Sequence, residues 1–334
     1  MTASRRILVT GSEGFVGKHV RAALTARGIE TVGVDRPGTA AEIPVDLSGA
    51  SFDAKEIAER AGQLDGVIYM AATITRGSSV DAAARDNLRA IADSAAEMLE
   101  ACYARSPGMH YVYCSTYKSY GPSNVPEGVG IDPQLQPQRP DPHSYGSAKA
   151  LAERWLAIAA KRLGVRYAVV RPTCIYGPGQ HTHNAIPIFL RTLLDGKPPV
   201  VFGTGRDVRD DVFAPDLAYA MIEACLRRVD GAFHATGDRS RNILQTAEVC
   251  CEAISKLTGA PKQTPVIDGS RPPKWWLDQV FDWKRTRELL DYQPIPLVEG
   301  LMCEARWLQA GAVAGDSLKF APAPRTGTKA GASR

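Results

Sequence analysis

The stretch ILVTGSEGFVGKHV, Ile7 to Val20, decides how the rest of the chain is read. Ile7-Leu8-Val9 is a short continuous apolar run, the pattern of a parallel strand buried on both faces. The run breaks at Gly11, and Gly14 and Gly17 follow at intervals of three. Beyond Gly14, the residues Phe15, Val16 and Val20 fall at helical spacing. Strand, glycine turn and helix together let a backbone approach a pyrophosphate closely and seat it on the helix N-terminus. The spacing is G-x-x-G-x-x-G rather than G-x-G-x-x-G. In a chain with 30 glycines a triplet alone says little, and the flanks carry the reading. The next strand, ETVGVD from Glu30, ends in Asp35, eighteen residues after Gly17. An acid at that place takes the ribose hydroxyls of NAD and repels the extra phosphate of NADP. Arg36, directly after it, is suited to a phosphate instead. The expected cofactor is NAD, held by Gly11, Gly14, Phe15, Val16, Gly17, Asp35 and Arg36.

The chain has 334 residues, enough for one large or two modest domains with a real core. At 44% hydrophobic and 23% charged residues it has the composition of an ordinary globular protein. A net charge of +4 is small for this length and gives no case for a nucleic-acid partner. No apolar run approaches the roughly 20 residues of a membrane-spanning helix, and MTASRR leads straight into the first strand without a signal peptide. The seven cysteines are odd in number, scattered and free of any C-x-x-C pair, the usage of a reduced, cytoplasmic protein.

Further strands are expected at Ile43–Asp46, Gly66–Met70, His110–Cys114, Tyr167–Arg171, Val200–Phe202 and Gly231–Ala235. Helices are expected at Asp53–Ala61, Asp81–Tyr103, Ser144–Leu163, Ile186–Leu194, after Pro215, at Thr246–Leu257, near Asp282–Leu290 and at Leu297–Gln309. Pro122–Pro142, Ile175–Asn184, Gly203–Asp211 and Pro261–Pro273 read as loops. Strands alternating with helices give an α/β fold, a Rossmann-type doubly wound parallel sheet with a smaller, interleaved C-terminal substrate-binding lobe. Residues 1–177 form the dinucleotide domain, to which 208–236 return; 178–207 and 237–310 form the lobe; 311–334, basic and without periodicity, read as a disordered tail.

Tyr145 and Lys149 stand four apart at the start of a helix and share one face. Ser115-Thr116 follow a strand end, where open parallel sheets bind ligands. A hydroxyl, a tyrosine and an i+4 lysine on a glycine-loop dinucleotide fold resemble the extended short-chain dehydrogenase/reductase superfamily. The resemblance covers residues 5 to 310 and extends to Asp46-Leu47, Ala71-Ala72-Thr73, Asn87, RPTCIYGPGQ and RDVRDDVFAPDLA. The last two stretches resemble the NAD-dependent nucleotide-sugar epimerases and dehydratases.

The resemblance implies Tyr145, Lys149, Thr116 and Ser115 as catalytic residues. It adds Asp46, Leu47, Ala71, Ala72, Thr73, Asn87, Tyr145 and Lys149 to the cofactor site, and Thr116, Lys118, Cys174, Asn184, Arg209 and Arg271 to the substrate site. No metal site is expected; His181-x-His183 lacks further ligands and reads as substrate contact or plain loop. A lysine ammonium and a positive nicotinamide ring favour the phenolate of a tyrosine, which then takes a proton from a sugar hydroxyl.

The chain departs from the family pattern in two places. Where the dehydratases carry an Asp-Glu pair after the threonine, this chain has Tyr117-Lys118. Where many nucleotide-sugar enzymes have an asparagine, it has Cys174, read as a packed thiol. Lys118 is either a contact for a substrate carboxylate or phosphate, or a solvent-facing lysine. Arg209 grips a diphosphate or pairs with Asp210 or Asp211; Arg271 grips it or lies on the surface. Trp275-Trp276 stack on a base or sugar or, the favoured reading, pack in the core. The missing acidic pair argues against a dehydratase and leaves an epimerase that oxidises a carbinol and returns hydride to the opposite face, with a net dehydrogenase or reductase of a sugar or sugar acid as the alternative. A dehydratase and a non-catalytic NAD-sensing module rank below. The resemblance also implies a homodimer built on the helices Asp81–Tyr103 and Ser144–Leu163.

Overall fold

The computed structural model describes residues 5–49, 52–72, 85, 88–120, 145–180, 184–270, 280–312 and 314–323. Seven strands form one parallel sheet in the order β3-β2-β1-β4-β5-β6-β11. They are β1 (Arg6–Thr10), β2 (Glu30–Asp35), β3 (Ile43–Pro44), β4 (Gly66–Tyr69), β5 (His110–Cys114), β6 (Tyr167–Pro172) and β11 (Gly231–Ala235). The strand order reverses between β1 and β4, the position at which a doubly wound sheet leaves a crevice at its carboxyl edge.

One face is covered by α1 (Phe15–Thr25) and α6 (Ala214–Leu226), whose apolar residues pack with Ile7, Val9, Ile68 and Val112. The other carries α2 (Ala54–Ala61), α3 (Ser94–Arg105) and α4 (Tyr145–Leu163) over Leu8, Val67, Tyr69, Tyr111 and Tyr113. Alternate residues of one strand feed the two cores, the period-2 geometry of a pleat. The helix expected from Asp81 is described from Leu88, enters α3 through a single wide π turn at Arg89–Asp93, and runs on to Arg105.

The lobe has its own core. It joins α5 (Ala185–Leu194), α7 (Ile243–Thr258) and α9 (Leu297–Gln309) around Leu190, Val201, Cys250, Ile254 and Leu301. Helix α7 starts three residues before its expected first residue because Asn242 and Gln245 cap each other's backbone reciprocally.

Three stretches read as loops contain short strand pairs. β7 (Cys174–Tyr176) runs parallel to β10 (Asp211–Phe213), β9 (Val208–Arg209) antiparallel to β12 (Arg241–Asn242), and β13 (Val266–Asp268) parallel to β8 (Val200–Phe202). Of these six runs Val200–Phe202 falls where a strand was expected; the others, two or three residues long, are too short for periodicity to mark them.

Two boundaries differ from expectation. Helix α8 (Lys284–Leu290) and Tyr292, assigned to the lobe, pack into the sheet's core through Leu290 and Tyr292. The segment read as a disordered tail folds at Ala314–Phe320 into a 3-10 helix, with Ser317 buried. Gly179 makes the room, since a side-chain carbon there would lie 3.1 Å from Ser317 Cβ and 3.4 Å from the Phe15 ring. Small residues thus dock without the apolar periodicity that identifies a packed helix.

Candidate active site

At the turn between β1 and α1, Gly17 lies so close to Gly11 that a side-chain carbon would overlap the Gly11 carbonyl oxygen. Only glycine permits this tightness, which brings the first turn of α1 against the strand end. Asp35 closes the second strand beside it: one carboxylate oxygen accepts from Glu13 N and the other from Arg36 N, each at 2.8 Å. Asp46 accepts from Ser48 N and Oγ, and these bonds hold its carboxyl below the usual range. Thr10 Oγ1 accepts from Met70 N and Ala71 N, fixing the small-residue turn after β4.

These groups line one end of a cleft of about 1180 Å³. Gly11, Gly14, Phe15, Val16, Gly17, Asp35, Arg36, Asp46, Leu47, Ala71 and Ala72 all contribute to its wall, with Val45, Ser48 and Met70, which the sequence reading did not select. The set fits NAD: a helix N-terminus of backbone donors for a pyrophosphate, an acid for a ribose and apolar walls for an adenine. Thr73 and Asn87 lie outside the described residues.

The same cleft continues into the lobe, past Tyr117, Lys118, Cys174, Asn184 and Arg209. Its far wall holds Ile188, Val200 and Phe202, three exposed apolar side chains that no motif had marked. Arg209 Nε stands 3.4 Å from Asp211 Oδ1, so the pairing left open from sequence is made. Asn184 is exposed at the N-terminus of α5. Arg271, His181, His183, Trp275 and Trp276 lie outside the described residues.

Ser115, Thr116, Tyr145 and Lys149 are not part of that described lining; Tyr117 and Lys118 connect them to it. Thr116 follows β5 and its Oγ1 accepts from Lys118 N at 3.3 Å. Tyr145 is the first residue of α4, and Gly146 lets that helix start against the 3-10 turn Tyr117–Tyr120: a side-chain carbon at Gly146 would lie 2.6 Å from the Lys118 carbonyl oxygen. Lys149, one turn on, is 1% exposed and donates from Nζ to the Cys114 carbonyl at 2.6 Å. Its Nζ lies 4.7 Å from the centre of the Tyr113 ring and 5.9 Å from that of Tyr145. Burial pushes the ammonium down to about 8.

Behind this group runs a buried polar chain that sequence reasoning missed. Ser115 Oγ bonds Glu153 Oε1, and Glu153 pairs with Arg171 through Nη2 to Oε2 at 2.6 Å and Nε to Oε1 at 3.1 Å. Arg171 donates to the Tyr120 hydroxyl, which lies 2.7 Å from His234 Nε2; His234 Nδ1 lies 2.6 Å from the Asp282 carbonyl. A carbonyl only accepts, so the imidazole carries its proton on Nδ1 and Tyr120 donates to Nε2. Burial keeps this histidine neutral, pushed down to about 4. A signal was available: Glu153 is four residues beyond Lys149 and eight beyond Tyr145, on the same helix face.

The two places that depart from the family pattern touch: the Tyr117 hydroxyl and the Cys174 sulfur are 3.5 Å apart. Burial raises the Tyr117 phenol well above its ordinary value and raises the Cys174 thiol as well, so neither is poised as a nucleophile.

The family described as NAD dependent epimerase/dehydratase matches residues 7–234. The UDP-glucose 4-epimerase of Azospirillum brasilense is 30% identical over 324 residues, covering 87% of this chain and 88% of that protein. The dTDP-4-dehydro-6-deoxy-D-allose reductase of a Streptomyces species is 26% identical, over 91% of this chain and 96% of its own length. Among solved structures, MoeE5 in complex with UDP-glucose and NAD superposes with a TM-score of 0.74 at 23% identity, over 92% of this chain and all of that one. Among the described residues no helix is long and apolar enough to cross a membrane. With the glycine turn, the acid at the end of β2 and the Thr116–Tyr145–Lys149 arrangement on one doubly wound sheet, this chain belongs to the NAD-dependent epimerase/dehydratase family, whose members act on nucleotide sugars.

Proposed function

We propose that this enzyme is a nucleotide-sugar epimerase. The observation that carries the reading is at Tyr117 and Lys118, where a dehydratase would need its acidic pair. Tyr117 is a buried phenol packed on Phe281 and Cys174, and Lys118 is a cation. Without a carboxyl group there, elimination of water has no proton donor or acceptor in its usual place, whereas inversion at a carbinol needs only the Thr116, Tyr145 and Lys149 groups.

NAD, when bound, supplies the hydride acceptor and donor. Tyr145 takes the carbinol proton and later gives it back. Thr116, whose oxygen already accepts from Lys118 N, turns its own proton to the same substrate oxygen. Lys149 holds the phenolate by its charge, and Ser115 fixes the strand end through Glu153. Arg209 meets the diphosphate, and Ile188, Val200 and Phe202 give a base an apolar wall. Trp155 and Ile158, 47% and 61% exposed on α4, offer the face on which two copies pair.

The test is to incubate the NAD-loaded protein with UDP-, dTDP-, GDP- and CDP-sugars and follow products by proton NMR and mass spectrometry, with NADH by absorbance. A product of unchanged mass with no net NADH is expected. Loss of one water, or stoichiometric change in NADH, overturns the epimerase reading in favour of a dehydratase or a net reductase.

A further inference from the structure

Lys118 is rooted at the reacting end of the cleft. Its backbone N–H bonds Thr116 Oγ1, and its carbonyl oxygen and Cβ lie 2.6 and 3.1 Å from where a side-chain carbon of Gly146 would stand, one residue after Tyr145. The lysine therefore springs from the short backbone held between the hydroxyl and the phenol. Its side chain is exposed and lines the cleft. Among the described residues no carboxylate lies within ion-pairing distance of it.

The neighbouring cations have a protein partner, an assigned role or another place in the cleft. Arg209 stands beside Asp211, Lys149 is bonded to the Cys114 carbonyl, and Arg171 is locked to Glu153. Arg36 lies at the opposite, Asp35 end of the cleft. Cys174 feels the positive charge of both Arg209 and Lys118, which puts two cations around one neutral sulfur in the substrate half.

A neutral hexose bound beside Lys118 would offer it only hydroxyl groups in place of the water it displaces. An ammonium so desolvated is costly unless an opposite charge compensates it. With a diphosphate already matched to Arg209, the charge left for Lys118 is on the sugar. We propose that Lys118 binds a carboxylate carried by the sugar ring, so that the substrate is a nucleotide-linked sugar acid rather than a neutral nucleotide sugar; this rests on the nucleotide-sugar reading above.

The test compares UDP-glucuronic acid with UDP-glucose on the NAD-loaded protein, wild type and Lys118→Met, by calorimetric binding and by kcat/KM. UDP alone is the third ligand, and NAD affinity is the check on folding. The wild type is expected to favour the acid by about 10- to 100-fold, the scale of one charge-assisted hydrogen bond. In Lys118→Met that ratio is expected to fall to near one, with UDP binding changed less than about twofold. A ratio near one in the wild type, or an undiminished ratio in Lys118→Met, overturns the proposal. Equal loss of UDP and UDP-glucuronic acid binding overturns it too, since Lys118 would then serve a phosphate. If the wild type binds neither UDP nor either sugar nucleotide, the underlying reading of the cleft falls, a result distinct from a lost preference.

Discussion

The hydroxyl of Tyr117 and the sulfur of Cys174 lie 3.5 Å apart, joining the 3-10 turn after β5 to the first residue of β7. Tyr117 stands where the dehydratases of the family pattern carry an acid, and Cys174 where many nucleotide-sugar enzymes carry an asparagine. Phe281 stacks on Tyr120 and meets Tyr117 edge-on, which closes an apolar cluster around them. A carboxylate put at position 117 would be buried in that apolar cluster, and the nearby cation Arg209 already stands beside Asp211. Tyr117→Asp is therefore expected to destabilise the fold by about 3–5 kcal/mol in urea denaturation, from lost packing and a buried charge. It is not expected to create a water-eliminating enzyme. A variant as stable as the wild type would contradict the packing account.

Glu153 and Arg171 form the central pair of the buried polar chain, with side chains 5% and 7% exposed. Removing one partner leaves a buried charge, whereas removing both removes the cost with the benefit. Arg171→Met alone is expected to cost about 3–5 kcal/mol, and Arg171→Met with Glu153→Met clearly less than the sum of the single changes. A double-mutant cycle in urea measures the coupling. The pair also holds Ser115 at the strand end, so kcat is expected to fall more than NAD affinity.

Gly146 sets the approach of α4 to the turn that carries Thr116. Gly146→Ala adds a carbon 2.6 Å from the Lys118 carbonyl oxygen, and backbone on both sides cannot yield cheaply. The start of α4, with Tyr145, must shift. If Tyr145 and Thr116 react as proposed above, a displacement of this kind is expected to lower kcat by about 100-fold, while NAD affinity, measured by calorimetry, stays within a few-fold. Unchanged kcat would mean that the Tyr145–Thr116 spacing is not held by this contact.

The sheet was legible because each of its longer strands is a buried apolar run bounded by turn residues, and β1, β2, β5 and β11 fall where pattern alone puts them. The glycine turn was legible for a related reason: Gly17 does a steric job that other residues cannot, and Asp35 closes β2 beside it. Short strands such as β9 carry too few residues to show a period, and Asn242 marked the start of α7 by capping chemistry rather than by hydrophobicity. Glu153, Arg171 and His234 were missed because their partners come from four elements brought together only by the folded sheet. The Ser317 contact was missed because small residues dock on a glycine without any sequence period.

Lys149 makes the pH dependence testable. Its ammonium is fully buried, and burial lowers it from 10.5 to about 8. Below pH 8 the residue is protonated in both folded and unfolded chains, and the folded chain bears the whole cost of the buried charge. Between 8 and 10.5 the folded chain has released a proton that the unfolded chain still binds, so this group's contribution to stability improves as pH rises. Lys149→Met is thus expected to gain up to about 3 kcal/mol at pH 7, and the gain to vanish near pH 10.5. Urea denaturation of both proteins at pH 7 and pH 10 measures the difference. Turnover runs the opposite way. In the proposed mechanism the charged ammonium is the form that favours the Tyr145 phenolate, so activity is expected to decline above about pH 8 and to be lost by about 100-fold or more in Lys149→Met at every pH. Stability and catalysis moving in opposite directions on one substitution is what a functional buried charge predicts. Equal stability of the two proteins at both pH values would show that the ammonium is not desolvated as described.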